Sequence, residues 1–158
     1  MKNLIPLIAA GLLIASCQSQ QQQPNNNNNN NSNTLNCNND TQAPVVDIQG
    51  NTTVGPPGTV IQFTTTATDD YNVKLVEIYG KITYDDGSSV LQTQDIPNIY
   101  VDSTTQGTTV NGTCSYTVPA TVGGHALGSS QDDFIEFWAH VEDCWGDMTN
   151  NYTFNVTP

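Results

Sequence analysis

Arginine is absent from this sequence of 158 residues, and only three lysines are present. Fifteen acidic residues give a formal net charge of -12 at pH 7. A phosphate backbone is bound by a basic surface, so nucleic acid is excluded as a partner. An acidic surface likewise gains nothing from anionic lipid headgroups. What this charge favours is solubility and the attraction of cations.

Catalytic motifs are also missing. The chain has no Gly-x-Ser-x-Gly elbow, no His-Glu-x-x-His pair, no phosphate-binding loop and no Cys-x-x-Cys. Its two histidines, His125 and His140, stand apart, and the adjacent acids Asp132 and Asp133 lie in a polar loop where we expect them to be solvated. The sequence therefore predicts a protein that is not an enzyme.

No window carries a sustained apolar stripe at the 3.6-residue period of a helix. Short alternating runs bounded by turn residues occupy the second part of the chain instead. In the clearest run, 134–142, Phe137 and Val141 lie on one face and Trp138 and His140 on the other. Seven or eight such runs predict an all-β antiparallel sandwich.

Two predicted strands carry local signals. Gly80 interrupts the run 73–84, which predicts a bulge there. A short run at 90–93 follows a hairpin turn, and a separate run at 96–101 contains Pro97. Proline has no N–H to donate, so 96–101 is predicted as an edge strand.

The one long apolar run, 4–15, follows Lys2 and is shorter than the roughly 20 residues that span a bilayer. It is typical of a signal-peptide core. Its end, Ile-Ala-Ser-Cys at 14–17, resembles the bacterial lipobox. The resemblance implies that residues 1–16 are removed and that Cys17 is lipidated, and Gln18 after it implies the outer membrane. An ordinary cleaved signal peptide is the alternative.

Residues 17–42 are interpreted as the lipidated cysteine and a disordered tether. A Gln/Asn-rich tract fills most of this segment, and it holds almost no apolar side chain. Such a composition cannot offset the entropy of ordering the chain. The remainder, 43–158, is predicted to be a single domain.

Two strand ends in this domain share a pattern. Ile-x-Phe-x-Thr-x-Ala-x-Asp spans 61–69, and Phe-x-Ala-x-Val-x-Asp spans 137–143 before Trp-Gly. They resemble the second and sixth strands of bacterial immunoglobulin-like domains, while Tyr-Thr-Val-Pro at 116–119 resembles the fifth strand. The resemblance covers 43–157 and implies an immunoglobulin-like sandwich of a cell-surface or periplasmic protein. It implies no ligand, and Asp147 departs from the usual Asn.

With Cys17 assigned to lipid, Cys37, Cys114 and Cys144 remain in a compartment where disulfides persist. In the sandwich implied above, the start of the fifth strand and the end of the sixth lie at the same end. The favoured bridge is therefore Cys114–Cys144, with Cys37–Cys144 as the alternative. His140, Glu142 and Cys144 alternate along one strand face and are zinc-ligand types, but a bridged cysteine cannot bind zinc, so no metal is assigned there.

Four aspartates, Asp69, Asp70, Asp143 and Asp147, are expected to gather at one end of the sandwich. Carboxylates on loops can hold Ca²⁺, although no EF-hand spacing is present. The alternative is that they cap turns by accepting backbone N–H groups. Apart from this calcium, the sequence implies no cofactor.

A set of aromatic side chains is predicted on the outer face of the sheet: Tyr79, Phe134 and Trp138. Flat aromatics on an exposed sheet suit sugar rings or another protein. The alternative is that loops cover the face or that Trp138 packs on a neighbouring strand. The sequence as a whole predicts a lipid-anchored envelope protein presenting one non-enzymatic interaction or adhesion domain to an unidentified protein or glycan. A small-ligand binder, for calcium or glycan, is the competing class.

Overall fold

The computed structural model describes residues 17–20, 40–103 and 107–158. Every regular element among them is a β-strand, and none is a helix long and apolar enough to cross a bilayer. The strands are β1 (Cys17–Gln20), β2 (Val45–Gly50), β3 (Val54–Gly55), β4 (Val60–Val73), β5 (Leu75–Tyr84), β6 (Gln92–Asp102), β7 (Gly107–Thr117), β8 (Thr121–Val122), β9 (His125–Ala126), β10 (Phe134–Glu142) and β11 (Asp147–Val156).

Two sheets form the domain. The first has the order β1-β7-β4-β2, and all of its pairs are antiparallel. The second has the order β3-β11-β10-β5-β6, in which β3 and β11 form a parallel pair. The short strands β8 and β9 form a separate hairpin.

The pairing pattern is that of an immunoglobulin-like sandwich. The neighbours β2-β4-β7 correspond to the first, second and fifth strands of that fold, and β5-β10-β11 correspond to its third, sixth and seventh. The first strand is split between the sheets, because β2 pairs with β4 whereas β3 joins β11. The predicted fold class is confirmed.

The core lies between the sheets and is centred on β10. Alternate residues of this strand are buried, and Phe137 and Val141 are fully inaccessible. The ring of Phe137 lies 4.6 Å from that of Phe63 on β4 and 5.3 Å from that of Tyr116 on β7. Burial raises the pKa of Tyr116 to about 12. The period of two in the sequence thus gave the correct inward face.

The two local signals in the strands have structural counterparts. The register between β5 and β6 shifts between Ile78 and Gly80, but the extra residues are 97–99 of β6, so the bulge lies in the strand opposite Gly80 rather than at the glycine itself. A Cβ on Gly80 would lie 2.9 Å from the ring of Phe137, so only glycine lets the core ring pack here. The proline-containing strand is at the sheet edge as predicted, but it is part of one longer strand, β6, rather than a separate one.

The N-terminal part departs from the tether prediction at its two ends. Residues 17–20 form β1, which pairs with β7 at the edge of the first sheet. At the other end, Asp40 is only 7% exposed. The tether prediction is thus wrong at these positions, because pairing to a strand edge supplies backbone hydrogen bonds that do not depend on apolar side chains. Residues 21–39 lie outside the described residues.

Candidate functional site

Three carboxylates meet at the end of the sandwich where β4 and β10 finish. Asp69 lies in the irregular last part of β4, Asp143 follows β10 directly, and Asp40 precedes β2. One oxygen from each side chain lies within 4.8 Å of the other two. The sequence pattern that ends both strands in Asp thus brings Asp69 and Asp143 together, as predicted.

Each carboxylate uses one oxygen to hold backbone. Asp69 Oδ2 accepts the N–H of Tyr71 at 2.8 Å and that of Asn72. Asp143 Oδ1 accepts the N–H groups of Trp145 and Gly146, both at 2.7 Å. These are turn caps of the kind that the sequence offered as the alternative to calcium.

The third carboxylate connects two distant parts of the chain. Asp40 Oδ2 accepts the N–H of Cys144 at 3.2 Å, so the segment before β2 is attached to the turn after β10. Sequence analysis missed this residue because it lies in the Gln/Asn-rich part assigned to the tether. No periodicity or motif surrounds it, so only the folded chain identifies it.

The second oxygen of each carboxylate is buried and has no hydrogen-bond partner among the described residues. These atoms are Asp40 Oδ1, Asp69 Oδ1 and Asp143 Oδ2. Burial, the adjacent Asp69 carboxyl and the charge of Asp40 together raise the pKa of Asp143, although the backbone N–H groups of the turn oppose the rise. The group is thus an acidic cluster with three inward oxygens and no donor.

The other two predicted calcium ligands lie outside this cluster. Asp70 is exposed and accepts the hydroxyl of Thr41 at 2.6 Å. Asp147 is exposed as well, and its carboxylate lies 3.7 Å from His140 Nε2. The prediction of four clustered aspartates is therefore corrected, because Asp70 and Asp147 do not belong to the cluster. Adjacent residues on a strand point to opposite sides, which separates Asp70 from Asp69.

The cysteine prediction is wrong in its favoured pairing. Cys144 is disulfide-bonded, whereas Cys114 is a buried thiol. β7 begins at Gly107 rather than at 110. Cys114 therefore lies seven residues after the start of the strand, a distance of about 23 Å at the usual strand rise. A disulfide needs Cα atoms within about 7 Å. The alternative partner, Cys37, lies outside the described residues, and the bridged Cys144 offers no thiolate for zinc.

The predicted aromatic face lies on the outer side of the five-stranded sheet. Trp138 and Tyr79 are register partners on β10 and β5, and their rings stack with centroids 5.7 Å apart. Trp138 therefore packs on a neighbouring strand, which was the alternative, yet both residues also line a surface depression of about 430 Å³. Phe134 is half-buried on the same strand face but does not line the depression.

Polar groups surround the two rings in this depression. Its wall includes Lys81, Asp95 and Asn98 besides Ile96 and Gly80. The ammonium of Lys81 lies 3.9 Å from the carboxylate of Asp95, and both are well exposed. The depression therefore combines the apolar area of two rings with hydrogen-bond donors and acceptors, which are supplied by an ammonium, a carboxylate and an amide.

A buried histidine–carboxylate contact was missed by the sequence analysis. Asp133, interpreted as solvated, has a fully buried carboxylate whose Oδ2 lies 3.0 Å from His125 Nε2. Its oxygens also accept the N–H of Gly128 at 2.8 Å and that of Asp85 at 3.1 Å. Burial acts to raise the pKa of Asp133, but the hydrogen bonds from His125 and from backbone outweigh it and lower that pKa.

Comparisons with known proteins add only the fold. No known family matches the chain, and no curated protein does. The crystal structure of Spo0M, a sporulation control protein from Bacillus subtilis, is similar with a TM-score of 0.53 at 12% identity, over 75% of this chain. The chain spans about half, 51%, of that structure. AvmM, which catalyses macrocyclisation in alchivemycin A biosynthesis, matches with a TM-score of 0.42 at 12% identity, over 73% of this chain and 89% of its own.

Proposed function

We propose that this chain is a lipid-anchored protein of the bacterial envelope, attached through Cys17, whose immunoglobulin-like domain binds a partner. The lipobox-like leader supports the anchor, and the sandwich supplies the rigid carrier. The outer membrane is the proposed location because Gln18, rather than Asp, follows the cysteine.

The observation that carries the binding role is the depression around Tyr79 and Trp138. Loops and termini of a sandwich vary, but this depression lies on paired strands, which hold its walls in place. Aromatic rings beside polar groups are the usual composition of a surface that binds protein or sugar. The function is therefore an interaction or adhesion domain.

A glycan is the second candidate partner, and the same depression favours it. A sugar ring places C–H groups on an aromatic ring and hydroxyls on carboxylate and amide groups. Asp95 and Asn98 flank the rings at this site. The net charge of -12 argues against anionic polymers as the ligand.

We further propose that the domain is not an enzyme. The histidine–carboxylate pair offers the nearest approach to a catalytic arrangement among the described residues. Ser129 Oγ lies 3.4 Å from His125 Nε2, the same nitrogen that Asp133 contacts. A serine–histidine–aspartate relay uses the two different ring nitrogens, so this group is better suited to holding the hairpin of β8 and β9.

Replacing Trp138 with Ala is expected to weaken binding to the envelope partner or glycan by about tenfold or more, because an aromatic anchor of an interface typically contributes about 2 kcal/mol. Binding of purified domain to isolated envelopes and to a glycan array measures this change. Trp145→Ala is the matched control, since Trp145 is 63% exposed in the turn after β10. Equal binding by both variants and the wild type would contradict the proposal.

A further inference from the structure

We propose that Asp40, Asp69 and Asp143 form a binding site for a hard divalent cation, Ca²⁺, which fastens the segment before β2 to the ends of β4 and β10. This inference is independent of the aromatic face and of the lipid anchor. It keeps two of the four calcium ligands predicted from the sequence and adds one that the sequence did not indicate.

The first argument is the state of the three inward oxygens. Asp40 and Asp143 are each only 7% exposed, and the oxygens that they and Asp69 turn inward have no partner among the described residues. Buried carboxylate oxygens without a donor or a cation are costly, because they lose hydration and repel one another. A bound cation supplies the missing partner to all three at once.

The second argument is the spacing. One carboxylate oxygen from each of the three residues lies within 4.8 Å of those from the other two. A Ca²⁺–oxygen bond is about 2.4 Å long, so two ligands of one ion are separated by at most about 4.8 Å. The three oxygens are therefore close enough to contact one Ca²⁺ with little movement, and water or backbone carbonyls complete its shell.

The donor set selects the class of cation. All three donors are carboxylate oxygens, which suit Ca²⁺ and Mg²⁺ and give no preference for Zn²⁺, which favours nitrogen and sulfur. Mg²⁺ demands near-ideal octahedral geometry and gives up its water reluctantly, whereas Ca²⁺ accepts irregular shells. A site made from the end of β4, the turn after β10 and the segment before β2 is irregular, so calcium is the expected ion.

The site is already held in position by backbone. The outer oxygen of Asp69, Oδ2, accepts N–H groups within the β4 end, and Asp143 Oδ1 accepts N–H groups within the turn after β10. Their orientation is therefore fixed before an ion binds, which lowers the ordering cost of binding. The bound ion then removes the charge repulsion among the three carboxylates.

The structural consequence is a clamp on the N-terminal segment. Asp40 contacts the backbone of Cys144, which is disulfide-bonded, and its neighbour Thr41 donates to Asp70. A calcium ion shared by Asp40, Asp69 and Asp143 adds a third attachment at the point where the chain enters the sandwich. Calcium thus strengthens the attachment of the segment at Asp40 and Thr41 to this end of the sandwich.

The test compares melting temperature in EDTA and in CaCl₂ at matched ionic strength, together with calorimetric titration of Ca²⁺. Wild-type domain is expected to bind one Ca²⁺ and to melt about 10 °C higher at free calcium one hundred times Kd. MgCl₂ is expected to give a smaller rise. No heat and no shift with either ion at millimolar concentration would overturn the proposal.

The Asp143→Asn variant distinguishes two interpretations of the cluster: a calcium site, and a group of carboxyls that share a proton. Asparagine keeps the oxygen that accepts the turn N–H groups and removes the charge. In EDTA at pH 7 this variant is expected to melt at or above the wild type, since it removes one of three carboxylates that each have an oxygen within 4.8 Å of the other two. In CaCl₂ it is expected to melt below the wild type and to show no calcium shift.

Asp147→Asn is the matched control, because it removes one exposed carboxylate from the same turn region and leaves the three ligands intact. Its calcium shift is expected to equal that of the wild type. Limited proteolysis then tests the clamp: calcium is expected to slow cleavage near residue 40 at least tenfold in the wild type and not in Asp40→Asn. Calcium binding without this protection would contradict the clamp.

Discussion

Replacing Asp133 with Ala is expected to lower the free energy of unfolding by about 3–5 kcal/mol. The change removes the carboxylate that the buried N–H of Gly128, the half-buried N–H of Asp85 and the ring of His125 contact. These groups belong to three segments: the end of β5, the β8–β9 hairpin and the start of β10. Urea denaturation monitored by tryptophan fluorescence measures the difference.

Asp132→Ala is the control for this prediction, since Asp132 is the exposed neighbour on the same loop. Its effect is expected to stay within about 0.5 kcal/mol. A loss of less than about 1 kcal/mol in Asp133→Ala would contradict the assigned role.

The same carboxylate gives the domain a defined pH dependence. Its pKa is lowered in the folded protein, so its stabilising contribution is present above the ordinary aspartate pKa near 3.8 and is lost as pH falls through the folded value. Stability of the wild type is therefore expected to fall below about pH 4. Asp133→Asn is expected to lack this part of the acid loss.

Replacing Phe137 with Ala is expected to cost about 3–5 kcal/mol, because the ring is fully buried and the sheets cannot collapse fully into the space that it leaves. The ring contacts Phe63 and Tyr116 across the core and rests on Gly80. Phe134→Ala, on the outward face of the same strand, is the control of identical chemistry and is expected to cost about 1 kcal/mol. Equal losses in the two variants would contradict the assigned faces of β10.

The fold was predictable because its signals are local. Alternation in β10 gives the buried face directly, and Pro97 marks the edge strand. Each of these follows from the backbone geometry of a few consecutive residues. The class of fold then follows from the number and spacing of the runs.

The site was predictable only in part because its geometry is not local. Asp69 and Asp143 close equivalent strands and meet for that reason, whereas Asp40 reaches them through a contact 104 residues away in sequence. The buried state of Asp133 likewise depends on His125 and on the end of β5. Composition suggested solvated loops at both places, since polar residues are usually exposed.

The disulfide prediction failed through an error in strand length. A start of β7 three residues earlier than predicted moves the end of the sheet away from Cys114. Strand ends are the least reliable part of a sequence-based assignment, and the pairing of cysteines depends on them. The prediction placed Cys114 on the correct face of β7 but too close to the start of the strand.

The proposed envelope anchor is tested most directly by metabolic labelling with palmitate in a bacterial host, followed by fractionation of the membranes. The wild type is expected to carry label and to sediment with the outer membrane, and Cys17→Ser to carry none, while Cys114→Ser keeps the label. An unlabelled wild type released in soluble form after cleavage of residues 1–16 would contradict the anchor.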